Sequence, residues 1–163
     1  MHTPIRKLFL LSLIALCPLA RGHAHPFEAG SVRLAAGGGG GVGGWSASLA
    51  GGYFIRDGLE LGLGTTYIKS DETAVQQLTM STTYVFLPES SLNPSAGVFF
   101  RHWFILDGDL EPASSTGLRL GAYYSGGGGL ILGGHIVYER IINCKAVDDC
   151  ESLYPEFSLA IVF

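Results

Sequence analysis

Residues 155–163 read PEFSLAIVF, and the fold is decided in this stretch. Phe157, Leu159, Ile161 and Phe163 share one parity, so on a strand all four project from the same face. That face is wholly apolar and carries no polar tail after it. In water a bare last strand of this kind invites aggregation, so either other elements of the chain or a non-aqueous solvent is expected to meet it.

Moving toward the N-terminus, the same two-residue alternation recurs, and no stretch repeats apolar residues at helical spacing for three turns. Strands are expected at about 27–36, 45–56, 58–70, 74–87, 95–106, 116–125, 130–142 and 153–163. Their apolar parities are Trp45, Leu49, Tyr53 and Ile55; Leu59, Leu61, Leu63 and Tyr67; Leu78, Met80, Tyr84 and Phe86; Leu118, Leu120 and Tyr124; and Leu130, Leu132, Ile136 and Tyr138. Nothing left in the sequence covers these faces. Eight strands, each near the roughly 9–11 residues that cross a bilayer at a tilt, predict an all-β, antiparallel, up-and-down transmembrane barrel.

The rest of the chain agrees with that expectation. The 163 residues are 47% hydrophobic and only 15% charged, yet the one dense apolar run is LFLLSLIALCPLA, too short for a spanning helix. Behind Arg6 and Lys7, and followed by GHA, it reads as a secretory signal over 1–24, leaving one barrel domain over 25–163. A net charge of −4 lacks the basic footprint of a nucleic-acid binder. Cys17 lies in the removed segment, and Cys144 and Cys150 are expected to be disulfide-bonded in an oxidising compartment. Closing so short a loop contributes about 2.4 kcal/mol in the chain-entropy model. Two thiols without a nearby His or third Cys give no closed zinc site, so no metal or other cofactor is expected.

Connections alternate between compact (RDG, PESSLNP, SGGGG) and longer or more acidic (GGGGGVGG, SDET, DGDLEPASS, NCKAVDDCES). Taken with the alternating, Phe-ending FSLAIVF, the chain resembles the small eight-stranded outer-membrane barrels of the OmpA/OmpX type, over essentially all of residues 25–163. The resemblance implies a Gram-negative outer membrane with both termini periplasmic. It implies lipid and lipopolysaccharide as surroundings, and the barrel-insertion machinery as reader of Phe157, Leu159, Ile161 and Phe163. A monomer is expected, with an external loop partner left open.

Eight strands enclose little more than side chains, so the opposite parity must hold the interior chemistry. It carries Arg33, Glu60, Arg101, Arg119, Glu139 and Glu156, with His135 on the face of Glu139. Three arginines against three glutamates predict a lumen salt-bridge network plugging the barrel, with Arg33 beside Glu156 where the last strand meets the first. A proton path through the same groups is the functional alternative. Inward glycines (Gly52, Gly62, Gly64, Gly117, Gly121) suit a tightly curved wall, or else leave room for a ligand. His102, in VFFRHWFIL, sits in a strand apolar on both parities and can face either way.

Other motifs carry little. Gly38, Gly40 and Gly43 fit a dinucleotide pattern only as any glycine run does, without a following helix. The two histidines of GHAHP are expected only to span the cleavage site. Acidic loop residues (Asp71, Glu72, Asp107, Asp109, Glu111, Asp148, Asp149, Glu151) match no closed calcium loop and are expected to be solvated surface, the alternative being Mg²⁺ or Ca²⁺ held beside lipopolysaccharide phosphates. No enzyme is expected: His135 and Glu139 are four residues apart, about 13 Å along a strand. No serine shares the strand near His135, His102 is expected to lack a neighbouring serine as well, and no G-x-S-x-G occurs. The expected role is therefore structural or adhesive, with envelope integrity and outward loop display as its content. The rivals are a narrow channel or transporter for small hydrophobic molecules with a lateral path, and a secreted lipocalin-like barrel, which would turn its apolar parity inward.

Overall fold

The computed structural model describes residues 25–41, 44–70, 73–107, 112–126, 128–142 and 150–163. The 1–24 segment and Cys144 lie outside these, so the signal peptide and the Cys144–Cys150 pairing stay expectations. Eight strands form one closed antiparallel barrel in chain order: β1 Val32–Gly41, β2 Gly44–Arg56, β3 Leu59–Ser70, β4 Ala74–Val85, β5 Leu92–Asp107, β6 Ala113–Ser125, β7 Leu130–Ile141 and β8 Glu151–Val162. No described helix is long and apolar enough to cross a membrane, which says nothing of strands that do.

Parity sorts side chains as the alternation predicts. Leu49, Leu61, Leu63, Met80, Val98, Leu118, Leu120, Leu132, Ile136 and Leu159 are exposed around the outer wall. Aromatic side chains bound this belt at both ends. Trp45 and Tyr67 meet across β2 and β3 with ring centroids 5.3 Å apart, while Tyr84 and Phe86 meet at 4.9 Å near the opposite end. Trp45 and Tyr53 bracket the belt on β2; the eight residue steps between them rise about 20 Å at a tilt of about 40°. The lipocalin-like rival required the reverse arrangement.

The turns between β2 and β3, β4 and β5, and β6 and β7 share one end of the barrel with the start of β1 and the end of β8; we call it the turn end and the other the loop end. Gly58 closes the first turn at φ +73°, and a Cβ there would lie 2.4 Å from the Val85 carbonyl oxygen, so only glycine fits. The turn before β5 is held differently: buried Asn93 donates from Nδ2 to the carbonyls of Leu87 (2.8 Å) and Ser90 (2.7 Å), fixing Leu87 at φ +52°. This recruits Leu92 and Asn93 into β5, three residues ahead of the expected start.

Two departures from the sequence reading concern β1. It begins at Val32 rather than near 27, because Phe27 turns into the barrel mouth and is fully buried there. Its carbonyl accepts from the Gly58 N–H (2.8 Å), and the Ala29 N–H donates to Asp57 Oδ1 (2.9 Å). The second is the seam with β8. Only Arg33 to Ala36 pair with Leu159 to Val162, extended at the turn end by two bonds between Val32 and Phe163. Beyond Ala36, β1 follows β2 alone through Gly41, and β8 before Leu159 follows β7 alone.

Candidate functional site: a stratified lumen

The interior is layered along the barrel axis. At the turn end it is apolar: Phe27, Phe54, Val85, Tyr123, Ile131, Ala160 and Val162 form one buried cluster. Phe27 is the wedge, with its ring 5.8 Å from Phe54 in an edge-on contact and 5.9 Å from Tyr123. The alternation did not mark this oily stopper, because its members are spread over five strands and a turn, singly except for Ala160 and Val162 on β8, rather than gathered in a run.

Above the stopper lie the charges. Arg33 Nη2 is 2.7 Å from Glu60 Oε1, and Arg33 Nε donates to the same oxygen at 2.9 Å. This corrects the expected Arg33–Glu156 neighbourhood: β8 ends level with Arg33, which pairs with Val162, placing Glu156 six residues farther along. Arg33 instead reaches a strand it does not pair with, across Gly52, where a Cβ would fall 1.6 Å from the Glu60 carboxylate. Glycine at that inward position is what lets the pair form.

The remaining charges make one cluster on β5–β8. Arg101 bonds Glu139 at 2.7 Å and Glu156 at 3.1 Å, and Arg119 bonds Glu156 at 3.0 Å. Sequence reasoning missed three members. Tyr154 shares both Arg101 and Glu139, Ser115 donates to Glu139, and the Phe99 ring lies under Arg101 and Arg119, with their guanidinium carbons 4.3 and 5.6 Å from its centroid. Phe99 can lie flat there because it covers Gly117, whose Cβ would meet the ring at 2.4 Å. Inward parity flags all three positions, but only the register says that they converge.

His135 is buried in the lumen yet binds no carboxylate among the described residues. Its Nε2 lies 2.9 Å from Ser95 Oγ, the two meeting over Gly121 of β6, which pairs with both, and its ring meets the edge of Tyr123 at 4.9 Å. His102 faces outward. The strand register places it opposite Ser114, and its Nδ1 is 2.8 Å from the serine Oγ, correcting the expectation that it has no serine neighbour. Both pairs lack a hydrogen-bonded acid on the imidazole among the described residues, so neither has the three-group form of a serine hydrolase relay.

Toward the loop end the lumen is hollow. A cavity of about 520 Å³ has two unlike walls. On β1–β4 it is lined mainly by small and hydroxyl side chains, among them Ala35, Ser46, Ser48, Thr66 and Ser81, with Arg33 and Gln77 beside them, and on β5–β8 by Arg101, Trp103, Arg119, Glu139, Tyr154 and Glu156. The ionic cluster therefore lies against the β5–β8 side of the lumen, with the cavity beside it. A lumen plugged by its ion pairs was expected; the structure closes the turn end with apolar side chains and leaves a cavity beside the ion pairs. The described residues hold no group of three or more His, Cys, Asp or Glu suited to a metal ion.

An antiparallel eight-stranded barrel with an apolar outer belt and charged interior defines an architecture that solved structures share. No protein-family model matches the chain, and no curated protein matches it. Neisserial surface protein A is similar in structure, with a TM-score of 0.53 at 18% identity, covering 81% of this chain and 92% of that one. The outer membrane protein OprG from Pseudomonas aeruginosa is similar with a TM-score of 0.59 at 13% identity, covering 83% of this chain and 97% of that one. At these identities the likeness fixes the fold: the chain is an eight-stranded barrel built as these outer-membrane proteins are.

Proposed function

We propose that this chain is an exported, monomeric, non-catalytic outer-membrane barrel that displays its loops at the cell surface and contributes to envelope integrity. Residues 1–24 direct export and are removed, the turn end with both termini faces the periplasm, and a Cys144–Cys150 bond clips the last loop. The observation that carries this reading is the outer wall, where an aliphatic belt runs around a closed barrel between two aromatic borders. Lipid tolerates such a wall, and only a closed sheet satisfies its backbone there. Closure of the turn end by Phe27, Phe54 and Tyr123 supports a display role over conduction.

The test is fractionation of the native host. The protein should stay with the membrane through carbonate washing and migrate differently on gels before and after boiling. Release by carbonate, or a monodisperse mature chain in detergent-free buffer, refutes the membrane assignment. Surface-loop display predicts that protease added to intact cells cuts at loop-end segments and spares the turns.

A further inference from the structure

We infer that the loop-end cavity is a binding site for a neutral, polyhydroxylated molecule of sugar type. Its volume of about 520 Å³ falls among small-molecule sites, which span about 300–1,000 Å³. The charge balance selects against ions. Arg33, Arg101 and Arg119 are each paired with Glu60, Glu139 or Glu156, so a charged occupant must either break a buried pair or remain uncompensated. A neutral molecule faces neither cost.

The hydrogen-bonding demand of the walls selects for hydroxyls. On the β1–β4 side, Ser46, Ser48, Thr66, Thr79 and Ser81 present groups that both donate and accept. Arg101 Nε, Arg119 Nε and Trp103 Nε1 are donors with no hydrogen-bond partner among the described residues, but they lie behind the cavity surface, and an occupant reaches them only if those side chains turn. The seam adds backbone. Gly37 and Ser158 line the cavity just past the last β1–β8 pair, where the groups that the two strands turn toward each other have no strand partner. An occupant meeting all of these needs many groups that are donors and acceptors at once, without net charge, and a polyol ring has that composition. Trp103 and Tyr154 supply aromatic surface of the kind that sugar rings pack against. The turn end offers no access, since the Phe27 cluster closes it.

This goes beyond the display reading, which would stand if no sugar bound. The protein has two tryptophans, Trp45 on the outer wall and Trp103 at the cavity. In Trp45→Phe protein, folded in a detergent without a sugar headgroup, Trp103 is the sole tryptophan and is excited selectively at wavelengths where tyrosine does not absorb. Sucrose should change its emission saturably and protect it from acrylamide quenching. Gluconate and glucosamine, the charged controls, should bind at least tenfold more weakly. Dextran run in parallel tells the end of a surface glycan from a free solute; binding in either arm supports the site. Ser48→Phe fills the small-residue wall without touching an ion pair and should weaken binding at least tenfold, while Leu118→Phe on the outer wall should not. Should Ser48→Phe fail to fold, as read from its migration on unboiled gels, the acrylamide protection decides alone. No saturable response and no protection, charged probes binding as well as sucrose, or a folded Ser48→Phe protein that binds normally would each overturn the inference.

Discussion

At the scale of single residues, the lumen separates two kinds of ion pair that look alike in a sequence. Arg101 is nearly buried and holds Glu139 and Glu156 together, whereas Lys69 and Asp107 lie 3.9 Å apart with both side chains exposed. Removing one partner of a buried pair strands the other charge away from water. Arg101→Gln is therefore expected to cost about 3–5 kcal/mol, and Lys69→Ala less than about 1 kcal/mol, by urea titration of the folded gel band. Gly52→Ala should also destabilise, although alanine is the better strand former, because its methyl would push the Glu60 carboxylate off Arg33. Which residues carry charge inward was legible in the sequence, since parity alone assigns Arg33, Glu60, Arg101, Arg119, Glu139 and Glu156 to one face. Who meets whom was not. Arg33 meets Glu60 by reaching over an intervening strand, and Tyr154 and Ser115 join Glu139 through inter-strand stagger, which no local pattern encodes.

At the scale of elements, all eight strands could be read from alternation, and the errors fall where a turn or a single aromatic competes with it. Phe27 looks like the first residue of a strand; as a stopper it buries its whole ring, which outweighs one more pair of ladder bonds. Likewise PESSLNP reads as loop, yet Asn93 spends its amide on two carbonyls of the turn and so belongs to β5. Asn93→Ala is expected to cost about 1–3 kcal/mol, the loss of the two hydrogen bonds that its buried amide makes. Leu87→Gly should act in the opposite direction, by up to about 1 kcal/mol, because leucine holds a left-handed conformation natural to glycine. Equilibrium unfolding of the two variants side by side checks both signs.

At the scale of the whole molecule, the inside-out distribution of oil and charge makes a depth-dependent prediction. Leu120→Arg, placed in the middle of the outer belt, should cost about 2–4 kcal/mol in lipid vesicles, while the same change at Leu106 near the loop-end border should cost about 0–1 kcal/mol. A water-soluble barrel would show no such gradient. The stopper supplies a second test. Phe27→Ala should lower stability by about 3–5 kcal/mol through the cavity that it leaves. The intact protein should be electrically silent in planar bilayers, and any steady unitary current from it would contradict closure at the turn end.

The seam has a temporal meaning as well as a spatial one. Its two banks are the first and last strands, so the ring is joined by the longest-range contacts in the molecule, Arg33 with Val162 and Val32 with Phe163. Local hairpins can form as each turn is made, but ring closure must wait for the final five residues, and long loops close late because their entropy is lost before any contact repays it. Until then the sheet has two bare edges, so the protein's most vulnerable moment comes immediately before completion, and a chain cut short of Leu159 would be held there.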